Sequence, residues 1–360
     1  MDRGNYELAR HLAAAGHPVR LVAHRVDADL AGHPGVRWDR VPRPLGHLPG
    51  SYFLAARGRR AAAATAAAGG RVVVNGGNCP WADINWMHYV HAAHTPTTAG
   101  WPHRRAKVAL THRLFVRAER RAVSLGQVFM CNSARTRHDL VSRLGVSADR
   151  CRIIRYGIDP AEFPPVTPAD RAAARGRLGW PADGLRAVFV GAMGDHRKGF
   201  DLTFAAWQRL SAGGWDVHLT VVGSGAEVAT WRRRTAAAGL ADRITFLGFR
   251  TDVPDLIAAS DLMVHPARYE AYGLGVHESL CRGVPSVLTR SAGVAETYTP
   301  GLADLLLDDP PTSAALTARL RQWRSAVDEY ATAAAGVGSL LRQRTWSDMA
   351  TDIRQVILTD

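Results

Sequence analysis

Two glutamates with seven residues between them, Glu270 and Glu278, stand in a segment whose residue types could hold an anionic, hydroxyl-bearing ligand. The apolar run Leu262 to His265 comes before them, and Gly273, Leu274 and Gly275 lie between. Glycines at that spacing let a strand turn sharply into a helix, whose first N–H groups have no intrahelical acceptor. Dipole and free donors together make such a terminus a phosphate site, and in an open α/β sheet the crevice beyond a strand's carboxyl end is where ligands bind. Glu278 falls about five residues into that helix, on the order of 7 Å along its axis. Carboxylates on both sides of a phosphate site suit hydroxyl groups on both sides of a diphosphate, a sugar and a ribose. The plainer reading of the same pair is a helix-terminus charge and a solvated surface charge.

A second cluster follows the run Val188 to Val190: Gly191, Ala192, Met193, Gly194, Asp195, His196, Arg197, Lys198, Gly199 and Phe200 read as strand, loop and helix start. Arg197 and Lys198 on such a loop would neutralise a diphosphate leaving group, each charge-assisted contact contributing roughly 1.5 to 3 kcal/mol. The stretch Asn85 to His91, with His94 beyond it, raises the question of zinc. On an extended strand His88 and His91 face opposite sides, and no Cys or carboxylate stands at ligand spacing, so no metal site is expected there. Asp308 and Asp309 precede Pro310 and Pro311 and read as a turn.

The elements that position these groups come in two series. Short β-branched runs alternate with longer helical patterns, the mark of parallel sheets built from βαβ units. Strands are expected at 19–26, 71–75, 85–91 and 127–132, then at 186–190, 218–223, 244–247, 262–265, 286–289 and 305–307. Prolines 160, 164, 165 and 168 mark a linker between the series. Domains are therefore expected at 1–158 and 159–342, with 343–360 as a closing helix. A chain of 360 residues, 47% hydrophobic, is long enough for two cores.

No run is apolar enough to span a bilayer, and the first residues lack a signal-peptide pattern, which points to a cytoplasmic protein. Four scattered cysteines, Cys79, Cys131, Cys151 and Cys281, read as reduced buried thiols. Charge is uneven: residues 1–155 hold 24 Lys/Arg against 9 Asp/Glu, the remainder 21 against 23. A basic first half favours an anionic partner, namely a phosphate-bearing acceptor or an acidic membrane surface. No nucleic-acid motif or aromatic platform accompanies the charge, so nucleic acid is not expected. The segment 104–121 carries seven Lys/Arg and one Glu, with Val108, Leu110, Leu114, Phe115 and Val116 interleaved, as an interfacial helix at the inner face of a membrane would.

The Glu270 segment, with its Glu-small-aromatic-Gly pattern and the Gly283-Val284-Pro285 that follows, closely resembles the signature of glycosyltransferase family 4, a GT-B family. The Gly191 to Phe200 stretch, the Cys131-Asn132-Ser133 strand end and Trp346 to Ala350 are similar to it as well. The resemblance implies two Rossmann-like doubly wound domains facing a cleft. It implies that Glu270 contacts the donor sugar, that Glu278 holds the ribose, and that N–H groups at Gly273, Leu274 and Gly275 bind the diphosphate beside Gly191. It places a His near the donor sugar, for which His91 fits better than His88. Relatives commonly carry an Arg directly after the first glycine, where this chain has Ala192, so Arg197 would take that part.

The activity implied is retaining transfer of a sugar from a nucleotide-diphosphate sugar to a glycan, lipid or small-molecule acceptor, without cofactor or metal. A nucleotide-sugar epimerase and a catalytically silent nucleotide-sugar-binding protein are the alternatives. One element is missing from the pattern. In a doubly wound domain a strand precedes the first helix. Here Asp2 to Asn5 lead straight into the helix carrying Leu8 and Leu12, so the natural start is expected upstream, with Gly4 in the loop near the donor.

Overall fold

The structure is a computed structural model that describes residues 2–43, 47–98 and 102–359. Two compact units divide the chain: one takes in residues up to Thr95, Ala106–Gly157 and Arg344 onward, the other Pro96–Arg105 and Ile158–Gln343.

In chain order the first unit holds α1 (Asp2–Ala14), β1 (Val19–Ala23), α2 (Ala28–Ala31), β2 (Val36–Arg40), α3 (His47–Ala67), β3 (Val73–Asn75), β4 (Ile84–Met87), most of α4 (Pro102–Leu125), β5 (Val128–Cys131), α5 (Ala134–Leu144) and β6 (Cys151–Ile153). All its strand pairs are parallel, but they form two sheets: β1 with β2, and a four-stranded sheet ordered β3-β4-β5-β6. Counted as strands 2 to 7, these two sheets follow the orders 3-2 and 4-5-6-7 of a doubly wound fold. Among the described residues no strand precedes α1. Gly4, expected in a loop, is a buried residue of α1, and a Cβ there would lie 3.2 Å from the Trp86 indole.

Three expected strands are shorter than their sequence suggests, the first of them, 19–26, ending at Ala23. The segment 71–75 pairs only from Val73, because the Val72 N–H donates to the Asp83 carboxylate at 2.6 Å while Arg71 pairs with the same group at 2.8 Å. The segment 85–91 leaves the sheet after Met87, and His91–Ala93 form one 3-10 turn. The N–H groups of His91 and Ala92 turn to the Glu119 carboxylate, at 2.7 and 2.9 Å, instead of to a neighbouring strand. The opposite-faces argument for His88 and His91 therefore does not apply, since neither lies on a strand.

The second unit continues with α6 (Pro168–Arg177), β7 (Arg186–Val190), α7 (Phe200–Ser211), β8 (His218–Val222), α8 (Val228–Ala237), β9 (Ile244–Gly248), α9 (Val253–Ala258), β10 (Leu262–His265), α10 (Leu274–Cys281), β11 (Ser286–Thr289), β12 (Leu306–Leu307), α11 (Ser313–Ser325) and α12 (Val327–Leu341). Its six strands form one parallel sheet, β12-β11-β10-β7-β8-β9. β10 and β11 are buried along their whole length, as strands covered on both faces must be. Trp207, Trp323 and Phe189 are among the largest groups in the core that this sheet shares with its helices. The last helix, α13 (Trp346–Thr359), packs on α1 in the first unit, with Trp346 against the Tyr156 ring at 6.0 Å between centroids. All four cysteines are free and buried.

Candidate active site

The site in the second unit is built where β7 and β10, neighbours at the middle of the sheet, run out at their carboxyl ends. After β7 the chain passes through Gly191 to Asp195, whose carboxylate accepts the Arg197 N–H at 3.2 Å and opens a 3-10 turn over His196–Lys198. Gly199 then adopts φ +74° and starts α7; a Cβ there would stand 2.1 Å from the Pro266 carbonyl oxygen. The neighbouring β8 ends in Gly223 and Gly225, with φ +138° and +155°, where a Cβ would meet the Gly191 oxygen at 2.0 Å and the Met193 carbonyl carbon at 2.3 Å. The Gly-x-Gly after β8 reads as an ordinary turn in the sequence. Here it is what lets the β7 loop lie against the β8 loop, since any side chain would push them apart.

The loop after β10 is tied to the first. Arg268 donates from its backbone to the Arg197 carbonyl at 2.8 Å, and its guanidinium pairs with both oxygens of Asp201, at 2.8 and 2.6 Å. Arg197 reaches the Tyr269 carbonyl at 3.5 Å. Gly273, at φ +107°, precedes α10, and a Cβ on it would press on Val294 at 2.9 Å. Leu274 and Gly275 lead α10, so their N–H groups have no acceptor within the helix. Glu278 lies partly buried in the same helix.

Glu270 is the centre of this arrangement. Lys198 forms an ion pair with its Oε2, and His265 Nε2 lies 2.8 Å from the same oxygen. Burial alone would push the Glu270 carboxyl up. The Lys198 charge, the His265 bond and the Arg197 charge outweigh it and hold the group well below the usual carboxylate range. His265 is buried at the end of β10. Burial first, then the Lys198 charge, lower its pKa, so it is neutral at pH 7. An ionised carboxylate only accepts, so the proton in that contact sits on His265 Nε2. Glu270, Lys198, Arg197, Gly191 and the Gly273–Gly275 turn thus come together from two loops, and His265 joins them. Sequence reasoning missed His265 because it closes an apolar strand; the signal was a polar residue at a strand's carboxyl end, five positions before Glu270.

In the first unit His91 lies between Tyr89 and Phe115, with ring centroids at 4.8 and 5.2 Å. His88 is held in a closed network: Nε2 meets Asn75 Oδ1 at 2.9 Å, Nδ1 meets the Tyr156 hydroxyl at 2.5 Å, and Asn132 donates to that hydroxyl at 3.3 Å. Burial brings its pKa down to about 3, the behaviour of a neutral core histidine. Among the described residues no group of three His, Cys, Asp or Glu side chains is gathered as a metal ion would need.

Two units of parallel strands and covering helices, the second with a helix start beside a Lys–Glu–His cluster, have the GT-B architecture. The chain belongs to glycosyltransferase family 4. Residues 1–162 match the model of Glycosyltransferase Family 4, and residues 184–323 match that of Glycosyl transferases group 1. It is 38% identical over 157 residues to the lipopolysaccharide core biosynthesis mannosyltransferase LpsB of Rhizobium meliloti, which takes in 41% of this chain and 43% of that protein. Over 297 residues it is 28% identical to the D-inositol 3-phosphate glycosyltransferase of Stackebrandtia nassauensis, 77% of this chain and 64% of that one. The chain thus spans less than two thirds of the length of these two relatives. The crystal structure of WaaG, a glycosyltransferase involved in lipopolysaccharide biosynthesis, superposes with a TM-score of 0.77 at 21% identity, over 99% of this chain and 96% of that one.

Proposed function

We propose that this chain transfers a glycosyl group from a nucleotide-diphosphate sugar to an acceptor, with retention and without a metal. The observation that carries the reading is the ion pair of Lys198 with Glu270 beside the α10 start. Leaving-group departure builds charge on the diphosphate, and preorganised cations and amides at that place lower the barrier more than a nucleophile would. Lys198, Arg197 and the N–H groups of Leu274 and Gly275 supply them. Ionised Glu270 accepts from sugar hydroxyls, Glu278 holds the ribose, and His91 serves the donor sugar. The acceptor's proton passes to the donor's own phosphate oxygen, so no enzymic base is required.

The acceptor side falls to the basic first unit. An anionic glycan, lipid or small molecule suits its charge, and relatives named for lipopolysaccharide core and inositol 3-phosphate are consistent with such acceptors. On α4, Arg105, Lys107, Arg113, Arg117, Arg120 and Arg121 are exposed, and Leu110 is 59% exposed. We read this face as the one that meets an acidic membrane, from the cytoplasmic side. Among the described residues no helix is long and apolar enough to cross a membrane.

Glu270→Gln keeps the side chain's size and is expected to lower turnover about a hundredfold or more while nucleoside diphosphate binding holds, the scale for losing a preorganised polar contact. Glu278→Ala is expected to weaken nucleotide binding instead. Steady-state kinetics and calorimetric titration separate the two, and wild-type behaviour in both variants would sink the assignment. Donor turned over in the absence of any acceptor, with an epimerised product, would favour the epimerase reading; no nucleotide release with any acceptor would favour the silent one.

A further inference from the structure

We infer that His265 is a positioning residue for Glu270, and that it sets how the site tells a nucleotide sugar from the bare nucleoside diphosphate. This rests on the reading of Glu270 as the group that contacts the donor sugar. A carboxylate turns freely about its last bond unless both its orientation and its charge are fixed. Lys198 alone does not fix it, because an ammonium on a flexible four-carbon stem can follow a carboxylate through many poses. His265 differs in kind. It belongs to the backbone of a central strand, its Cα paired with Leu288 of β11, and its side chain is buried. Its Nε2–H reaches Glu270 Oε2 at 2.8 Å, the oxygen that Lys198 also takes.

Two donors on one oxygen, one of them anchored in the sheet, define the plane of the carboxylate. Oε1 is then the oxygen turned to a ligand hydroxyl. Diphosphate contacts at the α10 start do not pass through this bond, so the nucleoside diphosphate is bound without its help. Burial and the Lys198 charge keep His265 neutral, so it orients Glu270 without adding a further positive charge to those of Lys198 and Arg197.

The test compares five proteins: wild type, His265→Gln, His265→Asn, His265→Leu and Glu270→Gln. Calorimetry gives Kd for UDP-glucose and UDP, and for GDP-mannose and GDP; the pair that wild type binds is used throughout. Gln places an N–H close to where His Nε2 stands, whereas Asn places it near Nδ1 and Leu has none. The ratio of Kd for the nucleotide sugar to Kd for the nucleoside diphosphate is expected to rise about tenfold or more in His265→Leu and His265→Asn. It is expected to stay within about threefold of wild type in His265→Gln, with nucleoside diphosphate binding unchanged in all three.

Should His265→Leu fail to fold, the contrast of Asn with Gln carries the test, since the two differ by one methylene. Equal ratios in Asn, Gln and wild type overturn the inference. A ratio changed by Glu270→Gln but not by the His265 variants overturns it while leaving the proposed function intact. A ratio unchanged by Glu270→Gln overturns the reading on which both rest.

Discussion

Glu119 is buried on α4 with both carboxylate oxygens turned to the backbone N–H groups of His91 and Ala92. Burial pushes its pKa up to about 7, because two amides and the nearby Arg120 only partly replace lost hydration. The folded protein keeps that proton up to about pH 7, whereas an unfolded chain releases it near the ordinary carboxylate value. Folding therefore takes up a proton between these limits, and the contribution to stability is full below them and falls as pH rises through about 7. The loss is on the order of 3 kcal/mol. Melting temperatures of wild type and Glu119→Gln from pH 4.5 to 8 check this: the difference between the proteins should move in the variant's favour as pH rises, and a constant difference would refute it. Among individual residues, the gathering of Glu270 with Arg197 and Lys198 was legible because their types repeat a pattern that phosphate and sugar chemistry demands. Glu119 and His265 were not, since what makes them informative is a buried partner distant in the chain or on another element.

At the scale of elements, the two series of strands and helices were readable because parallel strands covered on both faces are continuous apolar runs. Boundaries were less so: side chains such as Asp83 and Glu119 captured backbone N–H groups at strand ends, and nothing in local periodicity announces that. Among the described residues no strand precedes α1, and the strands that follow it in the first unit lie in two separate parallel sheets. β1 has a single ladder partner and is half-buried along its length, whereas β7 lies between two strands and is buried over most of its length. Short two-stranded pieces are marginal on their own and lean on whatever helices cover them. Amides of β1 and β2 are therefore expected to exchange with deuterium about tenfold or more faster than those of β7 and β8, because local opening there breaks fewer contacts. Equal protection in both places would show that α1 and α3 hold the small sheet as firmly as a full one.

For the whole molecule the uneven charge matters most. With 24 Lys/Arg against 9 Asp/Glu before residue 156, the first part of the chain attracts anions over a range that salt controls. Co-sedimentation with phosphatidylglycerol vesicles at about 50 mM salt is expected to exceed that with phosphatidylcholine severalfold, and to fall toward it at about 500 mM, where the screening length is only a few ångströms. Arg113→Glu with Arg117→Glu should abolish the preference while the second unit still binds nucleotide. Equal partition at both salt concentrations would remove the electrostatic membrane reading and leave the charge to a soluble anionic acceptor. Composition revealed this asymmetry directly. Which acceptor it serves was not legible, because an acceptor is recognised by shape as well as by charge.

Gly199, Gly223 and Gly225 touch backbone atoms at the places where side chains would stand. Alanine, the smallest replacement, already carries the Cβ that meets those atoms, so no substitution offers these positions a milder alternative. Heredity can vary the neighbouring Ala192 or Met193 step by step, but it can pass on the three glycines only unchanged. Change around this loop pair is therefore open to the side chains beside it, while the three glycine positions are closed to any residue with a Cβ.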